Sequence, residues 1–372
     1  IGSSALVSLF AILQLYGASL GVGVSTLVGS FNVAAIFAAV VTPLALTLLF
    51  HTEGKKIFLA ISSLVLLLSV ILINFKAAWL VLMLGVLVSL FFSTWNSKEF
   101  KVGWVASLIF CLSLALFFFL FSFSFPGFPA RPAEVSLSLN SEYDIVRGVM
   151  NEGFKHKLLG GGPGTFVFKY SQHHSKLLNR TPFWGTRFEQ GSSVFWDWVV
   201  TKGILGVLSL VFLWLVVLVK GTKRVVQVND SDWGVKLGLL SSFVALIGAS
   251  FLYSFNFSLW FLFWTILATM TGMLYSNIKR INLSGKFVNV SYSLLLVLIV
   301  TLGIGLIFLQ GVRYYAANQY KQGLNYSENG KVEKAIEKVS NERSKLGAVQ
   351  NRLDHTINNL SATEENLTAA NS

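Results

Sequence analysis

Runs of about twenty apolar residues, each closed by a short polar break, fill most of the chain. A helix needs about 20 such residues to cross about 30 Å of hydrocarbon. On that measure the pattern predicts nine spans: Ile1–Tyr16, Phe31–Phe50, Ile57–Asn74, Ala77–Phe92, Gly103–Phe123, Val194–Val219, Val235–Ser254, Leu259–Tyr275 and Tyr292–Leu309. The third and fourth are separated only by a very short turn at Phe75 and Lys76. Between the fifth and sixth runs the apolar pattern stops. Phe125 to Ser193 is polar and carries glycine and histidine. A loop of roughly 70 residues is far longer than a connecting turn, which marks it as the candidate working part. The expected fold is all-α: a polytopic membrane helical bundle with one large extracytoplasmic loop and a helical C-terminal tail. Its divisions are a first membrane helix group over 1–123, the loop over 124–193, a second membrane helix group over 194–311, and tail segments over 312–336 and 337–372.

Composition sharpens this picture. The chain is 54% hydrophobic, 14% aromatic and 12% charged, against about 25% charged in soluble domains. The net charge of +12 does not point to nucleic acid, because the basic residues lie in short breaks between apolar runs. Lys55, Lys56, Lys98, Lys101, Lys220, Lys223, Arg224, Lys236, Lys279, Arg280 and Lys286 all fall in loops on one side, whereas the short loops on the other side carry only Lys76. The positive-inside rule places the first set in the cytoplasm and turns the long loop and the tail outward. The expected setting is a membrane, with membrane lipids as surroundings; the resemblance described below implies the bacterial inner membrane. Cys111 is the one cysteine, so no disulfide forms within the chain.

The long loop opens with Phe125-Pro126-Gly127-Phe128-Pro129-Ala130-Arg131-Pro132, an extended linker pattern. Ser141 to His156 is expected to form a helix lying on the surface. Gly160-Gly161-Gly162-Pro163-Gly164 admits two readings. Glycines allow positive φ, so the run can be a tight structural turn; successive free N–H groups can also cradle an anion, with Gly162 and Gly164 as binding positions. No Gly-Lys-Ser/Thr follows, so this is not a Walker loop. Arg147 and Arg187 can each grip a phosphate bidentately, or simply face solvent or headgroups. His173-His174 lacks the cysteines or acidic cluster of a metal site, so no metal is expected. No Ser-His-Asp or Cys-His arrangement emerges from the spacing, and no cofactor is implied.

Several motifs, taken in order, resemble the O-antigen ligase/polymerase superfamily. Gly29-Ser30-Phe31-Asn32-Val33-Ala34-Ala35 with Thr42-Pro43-Leu44-Ala45 resembles its early helix, although the asparagine follows the phenylalanine directly. Ile73-Asn74-Phe75-Lys76-Ala77-Ala78-Trp79 resembles a family helix start, with Lys76 where an arginine is usual. Arg147 followed by Leu158 to Phe166 resembles the loop motif. Ser192-Ser193, nine residues, and Gly203-Ile204-Leu205-Gly206 resemble the start of the next helix, with Ser192 at the family's histidine position. The resemblance covers about residues 1–310. It implies metal-independent transfer of a glycan from a polyprenyl pyrophosphate carrier to a lipid, glycan or protein acceptor on the outer face. Arg187, Arg147 and Lys76 would stabilise the departing pyrophosphate. Glu189 or Asp197 would orient or deprotonate the acceptor. Ser192 and Ser193, with Gly162 and Gly164, would contact substrate, and His173 or His174 would stand in for the absent histidine. The family often has about twelve spans, so about three are expected before Ile1.

The tail reads differently. Tyr314 to Ile336 resembles the opening of a tetratricopeptide repeat, with a turn at Asn329-Gly330. Ala335 to Ser372 resembles the C-terminal helical region of bacterial flagellin. Leu346, Val349, Leu353, Ile357 and Leu360 form a coiled-coil-like stripe there. The tail is either a natural fusion that recruits flagellin-like helices or a chimeric join. Two further function classes stand beside the transferase: a transporter or flippase of lipid-linked sugars, and a flagellin-related structural membrane protein without catalysis. Few charges fall inside the spans and no internal repeat is evident, whereas transporters tend to show both.

Overall fold

The computed structural model describes residues 1–16, 26–95, 100–121, 132–175, 185–226 and 232–274, together with scattered positions between 290 and 344. The expected linker over 125–131, the polar residues Lys176 and Arg180, and the flagellin-like stripe beyond 344 lie outside the described residues. So do most of the tetratricopeptide-like segment and the two ends of the ninth expected span.

Among the described residues the regular structure is helical, joined by turns and by irregular stretches such as 132–138, with an isolated bridge between Thr26 and Gly29. The helices are α1 (Gly2–Leu15), α2 (Phe31–His51), α3 (Lys56–Ile73), α4 (Lys76–Trp95), α5 (Val102–Leu120), α6 (Leu139–Asn151), α7 (Phe154–Leu159), α8 (Phe166–His173), α9 (Val194–Val226), α10 (Trp233–Leu252) and α11 (Phe257–Leu274). Six of these, α2 to α5, α9 and α10, are long and apolar enough to cross a membrane. Gly2–Leu15, Phe257–Met273 and Ser293–Gly305 are shorter apolar helices at three further expected spans. The chain divides into two compact units: residues 1–20 with 24–278, and residues 21–23 with 279–372. All that follows concerns the first.

The core of this unit is α2. The side chain of Ser30 caps it by accepting from the Val33 amide, satisfying one of the open N–H groups of the first turn. Ala34, Ala35, Ala38, Ala39 and Ala45 are fully buried or nearly so. Small residues let α3, α4 and α10 pack closely around α2. Serine hydroxyls supply polar ties inside the bundle. Ser242 donates to the Val40 carbonyl at 2.7 Å, and Ser89 and Ser241 pair at 2.8 Å. The very short turn between the third and fourth apolar runs does separate two helices. Asn74 ends α3 in the left-handed region, and its side chain accepts from the Trp79 indole at 2.9 Å. Other helices turn large apolar side chains outward: Ile57, Ile61 and Leu64 on α3, Phe110 on α5, Leu208 and Phe212 on α9.

The described part of the long loop folds as a small helical layer. The single helix expected over 141–156 is divided, because Gly153 at φ 137° separates α6 from α7. Nor does α6 merely lie on a surface. Ile145, Val146 and Val149 join Leu137, Phe166, Tyr170, Val199 and Val200 in a second apolar cluster. Ile145 and Val149 are fully buried, a burial worth about 1.5–3 kcal/mol each.

Candidate functional site

The glycine run and the start of α9 hold the layer in place together. Gly203, at φ 67° and ψ −168°, breaks α9. The carbonyls of Val200 and Thr201, just before the break, accept from the amides of Gly161 and Gly162 at 2.8 and 2.9 Å. Gly160 donates to the His156 carbonyl. The backbones meet so closely that a Cβ on Gly160 would lie 2.5 Å from the Thr201 carbonyl carbon, and one on Gly203 would lie 2.5 Å from the Gly160 nitrogen. This geometry belongs to the tight-turn reading. The amides of Gly160, Gly161 and Gly162 are occupied by protein carbonyls, and Gly164 is an exposed positive-φ position.

Above this joint, two clefts of about 500 and 560 Å³ share Glu134, Ser136, Leu137, Ser192 and Tyr253. Arg187 and Glu189 line the first; Asn32 and Phe75 line the second. Glu134 is fixed from three directions. Ser30 and Asn32 donate to its Oε2 at 3.0 and 2.6 Å, and the Tyr253 hydroxyl donates to its Oε1 at 2.6 Å.

Ser192 meets a second carboxylate. Its amide donates to Glu142 Oε1 at 2.9 Å, and its hydroxyl donates to Glu142 Oε2. Glu142 is 1% exposed. Burial pushes its carboxyl up to about 7, against the pull of the two Ser192 hydrogen bonds and with some help from the nearby Asp197 charge. A Cβ at 191 would run into the Glu142 carboxylate, so a larger residue there would push that side chain aside. A carboxyl poised near neutrality behind a hydroxyl that lines both clefts can take up or return a proton.

At the other end of α6, Glu152 accepts from Lys169 at 2.5 and 2.7 Å and pairs with His173 Nε2 at 2.6 Å and His156 Nε2 at 3.3 Å. Burial would raise its carboxyl, but the hydrogen bonds from Lys169 and His173 and the charges of Lys169 and His156 outweigh that and hold it below the usual carboxylate value. His174 stacks on Tyr170 at 5.1 Å. Among the described residues, no group of three or more His, Cys, Asp or Glu is arranged to hold a metal ion.

Of the residues singled out from sequence, the structure brings Arg187, Glu189 and Ser192 together. Ser193 is buried, and its hydroxyl accepts from the Trp196 amide at 3.4 Å, capping α9. Arg147 is exposed on α6, away from the buried stripe of Glu142, Ile145, Val146 and Val149, and lines neither cleft. Lys76 is exposed at the start of α4; its neighbour Phe75 lines a cleft, whereas Lys76 does not. The expected trio of cations around one leaving group is therefore reduced to Arg187 among the lining residues. His173 sits at Glu152 rather than at Ser192. Sequence reasoning missed Glu134, Glu142, Asn32 and Tyr253. Glu142 had a legible signal: it falls in helical register with Ile145, Val146 and Val149, on a face that should be apolar.

The likeness to known proteins that the comparisons report lies in the tail. Residues 330–372 match the bacterial flagellin C-terminal helical region. No O-antigen ligase family match accompanies it. Over 41 residues the chain is 73% identical to a flagellin of Bacillus subtilis (strain 168), 71% identical to the putative flagellin YvzB of the same strain, and 66% identical to a flagellin of Clostridium tyrobutyricum. Those 41 residues are 11% of this chain and 14%, 26% and 11% of the three relatives. The match starts at 330, inside the segment read as tetratricopeptide-like. The tail is flagellin-like; the likeness does not extend to the helices that build the clefts.

Proposed function

We propose that the chain is an integral membrane glycan transferase. It would move a saccharide from a polyprenyl diphosphate carrier to a hydroxyl acceptor at the cleft shared by Arg187, Glu134, Glu189 and Ser192. The observation that carries the reading is the composition of this cleft. One guanidinium lines the same cleft as two carboxylates and a serine hydroxyl backed by a buried acid, in a unit whose apolar helices turn large hydrophobics outward. Exposed apolar surface of that extent suits lipid rather than water. The distribution of loop charges in the sequence supports an outer-face position for the clefts in a bacterial plasma membrane.

In the proposed reaction the acceptor oxygen attacks the anomeric carbon, the bond from that carbon to the phosphate oxygen breaks, and its electron pair leaves with the diphosphate. Arg187 takes the developing charge on the leaving group in bidentate fashion. A carboxylate of the cleft, Glu189 or Glu134, receives the acceptor proton. Lys76 and Arg147 are left outside this assignment. The flagellin-like sequence over 330–372 would be the part that pairs with flagellin-type helices.

Purified chain supplied with a polyprenyl diphosphate oligosaccharide and a hydroxyl acceptor tests the reading. Transfer is expected, and Arg187→Ala should abolish it without lowering the unfolding temperature. Transfer that survives this substitution would refute the role of Arg187. Net movement of the carrier across a vesicle without transfer would favour the flippase instead.

A further inference from the structure

A third cavity, of about 340 Å³, adjoins the cleft of Arg187 and shares Gln190 and Ser254 with it. Its walls carry Trp198, Trp260 and Trp264 together with Asp197 and Lys202. Trp198 and Trp260 are roughly parallel, 27° apart with centroids at 6.1 Å. Lys202 Nζ lies 4.3 Å from the Trp198 ring centroid, a cation over the electron-rich face of the indole. Trp264, on the rim, is 54% exposed.

We infer that this cavity is a saccharide-binding subsite that seats a neutral pyranose ring against the tryptophans. The volume lies at the small end of ligand pockets, about 300–1,000 Å³, which suits one or two sugar rings better than a long lipid tail. An acyl or prenyl chain would press hydrocarbon on the Gln190 amide and on the charged ends of Asp197, which keeps the Gly191 amide nearby, and Lys202, which keeps the Trp198 face. A charged ligand meets one acid and one base, whose effects oppose each other. A pyranose satisfies both parts of the wall. Its C–H face carries partial positive charge and packs on the negative face of an indole, while its hydroxyls donate to Asp197 and Gln190 and accept from Lys202. Continuity through Gln190 and Ser254 places the ring next to the cleft where the transfer is proposed. The subsite deepens that reading and rests on it for its role, although binding itself does not require it.

Saturation-transfer-difference NMR on the full chain in detergent tests the subsite, with glucose, galactose and N-acetylglucosamine as probes and glycerol as the control. At least one sugar should receive saturation at its ring C–H protons well above glycerol. Trp264→Ala should cut that signal at least five-fold, and Asp197→Asn should weaken it. Trp95→Ala, at another exposed tryptophan (63%) on α4, should leave it intact. The inference is overturned if no probe exceeds glycerol, if Trp264→Ala leaves the signal in place, or if Trp95→Ala reduces it equally, which would make the tryptophans general interfacial anchors. Because Trp264 is largely exposed, its substitution is not expected to unfold the chain, and thermal unfolding checks this. Sugar binding without transfer would sink the transferase and leave the subsite standing; transfer without sugar binding would do the reverse.

Discussion

Glu142 and Glu152 sit near opposite ends of one short helical layer and are tuned in opposite directions. Glu142 is buried with a serine as its partner, and loss of hydration dominates. Glu152 is also largely covered, with 15% of its side chain exposed, but Lys169, His156 and His173 surround it and its charge is welcome. Burial alone therefore does not decide which way a carboxyl's proton affinity moves; the charge of its neighbours can reverse it. The end with the raised carboxyl reaches the clefts only through Ser192. The end with the lowered one ties α8 back to α6.

The strongest way to break this comparison is to detach the layer that carries both acids. Gly160→Ala would force a Cβ onto the Thr201 backbone at a φ of 69°, and a cost of about 3 kcal/mol or more is expected. Thermal unfolding in detergent would read it as a large fall in midpoint. An unchanged midpoint would mean that the glycine joint with α9 does not hold the layer.

Next in size is the pH dependence of Glu142. Its folded value, about 7, lies above the ordinary 4.5, so the native state binds more protons than the unfolded state between these limits. Stability should fall as pH rises from about 4.5 to 7, by about 3 kcal/mol in total. Glu142→Gln should remove that slope and leave the chain at least as stable at pH 8. A slope that persists in the variant would assign it to another group.

The opposite sign is expected at Glu152. Its lowered carboxyl adds stability above the unfolded value, and that stability is lost as pH falls below about 4.5. Lys169→Met should shrink this acid-side loss and cost about 1 kcal/mol at neutral pH. Equal acid sensitivity with and without Lys169 would remove the ion pair from the account. The smallest effect belongs to Arg147→Ala, which should change stability by less than about 0.5 kcal/mol. It should also reduce transfer far less than Arg187→Ala; equal losses would mean that a substrate-bound state recruits Arg147 to the cleft.

Much of the helical plan was legible in the apolar periodicity. The expected runs at 31–50, 57–74, 77–92, 103–123, 194–219 and 235–254 correspond to α2, α3, α4, α5, α9 and α10, because a long apolar run constrains length and helicity together. The interior of the loop was less legible. Gly153 split a predicted helix, and Gly203 broke a predicted continuous span, since a glycine shows its conformation only when its neighbours demand it. Arg187 and Glu189 were singled out for their charge and Ser192 for its place in a motif, and their closeness in sequence is what lets one cleft hold all three. Glu134, Asn32 and Tyr253 were missed because hydrogen bonds join them across separations of 102 and 119 residues.

The sequence by itself determined that the chain is helical and strongly apolar, that its polar chemistry is concentrated in one long loop, and that its last segment is flagellin-like. The tertiary structure decided which charges meet. Register along a helix is local and can be read from spacing. The environment of a carboxyl depends on what distant segments bring within a few ångströms, and no local pattern encodes that distance.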